Sequence, residues 1–226
     1  MPKVRDLIEA LAPMDERGFE PTDWIGRRLR EAKLLPFASR GYPPPDIGVP
    51  HAVNMLLGWT GAETAQDAAR YVVLFRNMLL LGRMGSRTEF PSEIANAVLA
   101  PTLGEALEGL ISHFEAFMSW ATEHAPDRAR PWRYAVSVTL ARLHDVPHRA
   151  EVNFSIPLVE DGNVFRAVWD NTVTDPAALA VLARVRPKKT GPTPFELRHR
   201  TVETTTQIDG DVLHAVWACM FRGTSK

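Results

Sequence analysis

The sequence predicts an α+β fold, with a helical first half and a second half of three or four antiparallel strands with short helices. Three observations carry this. Apolar residues recur at helical spacing from Val4 to about His124. Beyond the polar stretch Asp127 to Pro131 the period changes to two, in Tyr134 to Leu140 and again in Val152 to Ile156. Asp161-Gly162-Asn163 then reads as a hairpin turn into a third strand, Val164 to Trp169. The chain has 226 residues, 45% apolar and 23% charged, enough to bury a core and to exclude disorder throughout.

Val4, Leu7, Ile8 and Leu11 form the stripe of a short amphipathic helix. Pro13 to Glu20 is a polar connector. Pro21-Thr22-Asp23 are helix-start residues, and Trp24, Ile25, Leu29, Ala32 and Leu35 make the apolar side of the helix that follows. Arg27, Arg28, Arg30 and Lys33 fall on its other faces. Pro36 stops it. Phe37 to Pro50 contains too many prolines for a helix or a central strand, so it reads as an ordered loop or a ragged two-stranded wing with Tyr42 at its tip.

Helical spacing resumes over His51 to Trp59, and a longer helix is expected from about Glu63 to Leu81. Ser92 caps a short helix to about Ala100. Thr102 or Gly104 opens another to about His124, whose Phe114, Phe117 and Met118 are core or a dimer seam. In the second half, Pro176 to Arg184 reads as a short helix, Arg186 to Pro194 as a loop and Phe195 to Gln207 as a Thr-rich strand. Asp209 or Asp211 caps a last helix over Val212 to Phe221. The expected organisation is a winged helix-turn-helix-like unit at residues 1–60, a helical connecting or dimerisation segment at 61–126, and an α+β domain for self-association or partner binding at 127–226.

Charge narrows the function. Lys plus Arg (26) nearly balances Asp plus Glu (27), which excludes a uniformly basic coat but not a local basic patch. Such a patch exists. Between Arg27 and Arg40 lie Arg27, Arg28, Arg30, Lys33 and Arg40, with Glu31 the single acid. A second helix bearing these cations, followed by a loop with Arg40 and Tyr42, is the order of elements that sets a helix in the major groove and a wing on the flanking backbone. A solvated helix face is the plain alternative. A second basic stretch runs from Arg184 through Arg186, Lys188 and Lys189 to Arg198 and Arg200, with Glu196 the only acid. Lys188 and Lys189 are candidates for further phosphate contact.

The run Arg28 to Pro36, then Arg40-Gly41-Tyr42, then the helix from Pro50, resembles the recognition-helix and wing segment of MerR-type regulators. It is also similar to the N-terminal regions of prophage-encoded helix-turn-helix proteins. The resemblance implies a cytoplasmic, double-stranded-DNA-binding transcription regulator that acts as a homodimer. Beyond this segment the chain resembles no ligand-binding or effector domain.

Enzyme readings find little support. His144, His148 and Glu151 are metal-ligand types, but Pro147 prevents a helical spacing of the two histidines. The lone Cys219 sits on an apolar helix face, as a buried structural thiol would. The phosphate-loop, dinucleotide, nucleophile-elbow and zinc-protease motifs are absent. No catalytic residue, metal or cofactor is therefore expected. No apolar run approaches the roughly 20 residues of a membrane span, and the N-terminus does not read as a signal peptide. The six tryptophans read mostly as core, Trp59 and Trp132 being the two expected at the surface. The alternative to DNA binding is a non-enzymatic interaction module, such as a phage accessory protein, whose basic face meets an acidic partner.

Overall fold

A computed structural model describes residues 2–37, 42–84, 91–143, 149–154, 165–170 and 202–222. The first two helices, α1 (Val4–Leu11) and α2 (Phe19–Glu31), are joined by a 3-10 turn at Ala12–Met14. The stripe Val4, Leu7, Ile8 and Leu11 is buried as its spacing requires. Helix α3 (Val49–Gly61) is buried along nearly its whole length, and α2, α4 (Ala68–Arg76) and α6 (Leu103–Ser112) pack around it. A helix apolar all round belongs inside, and this one is the hub of the helical layer.

The strands are β1 (Leu79–Met84), β2 (Val136–Leu143), β3 (Arg149–Phe154), β4 (Phe165–Asp170) and β5 (Val202–Asp209). They form one antiparallel sheet in the order β1-β4-β3-β2-β5. The register aligns Ile208, Val138, Val152 and Ala167 across four strands, and Leu140, Ala150 and Trp169 beside them. All of these are buried, so alternation along each strand has become one apolar face. The remaining helices are α5 (Ser92–Ala97), α7 (Phe114–His124), α8 (Trp132–Ala135) and α9 (Gly210–Phe221).

The expected mixture of helix and antiparallel strand is therefore present, but α2 starts earlier, at Phe19, Tyr134 and Ala135 are helical rather than strand, and two larger corrections apply. The helix expected over Glu63 to Leu81 stops at Arg76, and Leu79–Met84 is an edge strand on β4. A leucine run suits a buried helix or a buried strand equally well, and only a pairing partner decides between them. The helix expected to run to His124 is two helices, broken at His113. Contacts also cross the expected unit boundaries, because β1 completes the later sheet and α1 packs on α9.

Two helix starts follow the sequence signal. Thr102 accepts a hydrogen bond from the Glu105 backbone N–H while Glu105 accepts one from the Thr102 N–H, a capping box. Asp209 accepts from the backbone N–H groups of Asp211 and Val212. The expected helix at 176–184, the loop at 186–194 and the strand residues before Val202 lie outside the described residues.

Phe114 and Phe117 are fully buried beside each other, Phe114 also against Trp217 of α9, and Met118 packs partly buried on the same core, so this stripe belongs to the core. Among the described residues, no helix is long and apolar enough to cross a membrane.

Candidate nucleic-acid interface

The direction of α2 is set by its turn. Gly18 precedes the helix at φ 86°, the left-handed region that a glycine enters without strain. Before it, the Asp15 carboxylate, only 5% exposed, gathers four groups. It accepts from the Arg17 backbone N–H and guanidinium at 2.9 Å each, from the Trp59 indole N–H at 2.8 Å and from the Thr22 hydroxyl at 3.4 Å. One buried anion thus ties the turn, the start of α2 and the end of α3. Thr22, Ile25, Gly26 and Leu29 form the inner face of α2.

The outer face carries Trp24 and Arg27, with Arg30 on one flank and Arg28 on the other, half-buried in a cleft with Glu31, Gln66 and Ala69. Arg27 donates to Asp23 at 2.9 Å and lies over the Trp24 ring, 5.1 Å from its centre. Arg28 donates to Glu31 at 2.8 Å. Arg30 donates to the Gly26 carbonyl at 3.2 Å and stands 3.9 Å from Asp23. The basic run read from the sequence is therefore partly neutralised within the helix, since Asp23 and Glu31 face these arginines. The physical reason is spacing: acids three or four residues away share a helix face.

Lys33 is different. The helix closes with the Leu34 N–H on the Leu29 carbonyl and the Lys33 N–H on the Arg30 carbonyl, the Schellman pattern. That pattern needs a left-handed residue, and Lys33 fills the place at φ 60°. Glycine fits there without cost, whereas a side chain costs about 1 kcal/mol. Its ammonium is exposed and has no ion-pair partner among the described residues.

The loop after α2 returns to the body at its far end. The Ile47 N–H donates to the Pro2 carbonyl at 3.0 Å, and the Lys3 ammonium donates to the Pro44 carbonyl and to Asp46 at 2.6 Å each. At its near end the Asn54 amide holds the Leu34 carbonyl at 2.8 Å; Arg76 in turn donates to Asn54 and pairs with Glu108. Residues 36–37 and 42–48 carry no strand, so the described part is an ordered loop rather than a two-stranded wing. Phe37 and Tyr42 project from it, 71% and 75% exposed.

Of the sequence candidates, Arg27, Arg28, Arg30, Lys33 and Tyr42 belong to this one helix-and-loop unit. Arg40, Lys188 and Lys189 lie outside the described residues, as do His144 and His148. Helical position puts Trp24 on the apolar side, yet it is 50% exposed, while Trp59 and Trp132, the two expected at the surface, are buried and partly buried. The signal was available in the spacing, because Trp24, Arg27 and Arg28 stand at i, i+3 and i+4. Among the described residues, no group of three His, Cys, Asp or Glu gathers as a metal site. Burial pushes the Cys219 thiol up to about 11, which keeps it protonated and inert at neutral pH. No family model, curated protein or solved structure matches the chain.

Proposed function

We propose that this chain binds duplex DNA through the outer face of α2 and the loop that follows, with the helix in the major groove and the loop, in place of a stranded wing, on the flanking backbone. Lys33 carries the reading. A lysine at a position that favours glycine lowers stability, and side-chain-bearing residues held in such backbone conformations cluster at functional sites. Here that side chain is a cation at the end of a helix rich in arginine.

Arg27, Arg28 and Arg30 would join it by exchanging their own acids for phosphates. Exposed pairs of this kind are worth less than about 1 kcal/mol each, so the exchange is cheap. Tyr42 and Arg40 would meet the flanking backbone. On this reading the chain is a cytoplasmic transcription regulator, and two copies would read two half-sites because one small module binds weakly.

A random duplex titrated by fluorescence anisotropy across a salt series tests this. For R27Q/R28Q/K33Q, the slope of log affinity against log salt is expected to fall by about 2 to 3, at unchanged thermal stability. Two chains per duplex are expected at saturation. An unchanged slope removes the helix from the interface.

K33G separates function from fold. It is expected to raise the unfolding free energy by about 1 kcal/mol, because glycine accepts the left-handed backbone. Duplex affinity should drop in the same protein. Higher stability with unaltered affinity would leave Lys33 without a DNA role.

One observation favours a second reading. Phe19, Trp24, Phe37 and Tyr42 are large aromatic groups left exposed on this same unit, a composition that suits a protein partner. Such a partner would be displaced by loss of Trp24 and would be far less sensitive to salt.

A further inference from the structure

Away from α2, a second group of cations gathers where the helical layer meets the sheet. We propose that Arg128 and Arg133, which lie over Tyr134, and Arg130, which shares Asp211 with Arg133, form an additional surface for the phosphate backbone of nucleic acid. The proposal rests on the DNA-binding reading above.

The arrangement begins with Pro131 and the single helical turn of α8, which place three arginines close to the first residues of β2. The guanidinium carbons of Arg128 and Arg133 lie over the Tyr134 ring, 5.6 and 5.5 Å from its centre. The ring is 57% exposed, so it orients these cations at the surface and does not bury them. Arg130 and Arg133 share one carboxylate, Asp211, at 3.8 and 3.2 Å. Arg128 has no carboxylate within ion-pair distance among the described residues.

Two guanidiniums therefore share one largely buried acid while the third has none within ion-pair distance, and the surplus is positive. His214, one turn along α9, senses the same field. Burial lowers its pKa first, Arg222 and Arg130 push the same way, and Asp211 opposes them. A guanidinium fork pairs with a phosphate group through two parallel hydrogen bonds, and an aromatic face beside it limits the orientations it must give up on binding. Such contacts would add sequence-independent affinity and no base readout.

The test uses the full chain and the same labelled random duplex over the salt series, with R128Q and with R128Q/R130Q/R133Q. R128Q leaves both Asp211 pairs in place, so its folding is unperturbed. The expected result is a slope smaller by about 1 for R128Q and by up to about 3 for the triple variant. If the slope is unchanged in these variants while R27Q/R28Q/K33Q is weakened, this surface is overturned and the α2 reading stands. If only the Arg128 variants weaken, the surface stands and the α2 reading fails. Absence of salt-dependent binding by the unaltered chain overturns both.

Discussion

Asp15→Ala is expected to lower the unfolding free energy by about 3 kcal/mol, measured by urea denaturation. The side chain is nearly buried and accepts from Arg17, Trp59 and Thr22. Its removal leaves the Trp59 indole N–H, on a buried ring, without a partner. A lost hydrogen bond to a charged group costs about 1.5 to 3 kcal/mol, and the orphaned donor adds to that. A change below about 0.5 kcal/mol would show that the turn does not depend on this anion. Asp15→Asn keeps one acceptor oxygen and should recover part of the loss.

Acid gives the same residue a second readout. Burial raises the Asp15 pKa, but hydrogen bonds from the Arg17 side chain and backbone and from Trp59 outweigh it and hold the group below its ordinary 3.8. A carboxylate with a depressed folded pKa stabilises fully above its unfolded value, and that stabilisation drains away as pH falls through the folded value. The stability curves of the unaltered chain and Asp15→Ala should therefore converge below about pH 4. Parallel curves across that window would exclude Asp15 as the group responsible.

Gly210→Ala is expected to be at least as damaging, about 3 kcal/mol or more by thermal denaturation. A methyl group there would enter the carbonyl of Trp132 and reach the Cα of Arg133 at 3.0 Å. Both are backbone atoms, so the helices α8 and α9 would have to separate. The requirement is space alone. The consequence reaches the arginine cluster, because the close approach at Gly210 is what sets Asp211 beneath Arg130 and Arg133. A loss under about 1 kcal/mol would mean that the two helices shift apart freely.

Much of this architecture is legible from residue spacing. The α1 stripe, one of the two capping residues offered at each of the helices α6 and α9, and strands overlapping residues 136–140, 152–154 and 165–169 follow from period and capping chemistry. Strand β1 does not, because Leu79-Leu80-Leu81 suits either structure until β4 supplies its hydrogen bonds. In the candidate site the cations of α2 are plain in the sequence. So are their acids, at three- and four-residue spacing, yet a count of charge along the chain overlooks which side each faces. The Asp15 cluster is hidden for another reason: residues 15, 17, 22 and 59 meet only after α1, α2 and α3 have packed.

Local patterning alone thus determined the mixed α+β class, the helix carrying Arg27, Arg28, Arg30 and Lys33, and the proline-rich loop after it. These depend on neighbours within one or two turns. Tertiary structure decided that Trp24 is open to solvent while Trp59 is buried against Asp15, that the far end of the loop is held to Pro2 and Lys3, and that Arg130 and Arg133 meet Asp211. Such properties depend on contacts between distant segments, and periodicity along a chain carries no record of them.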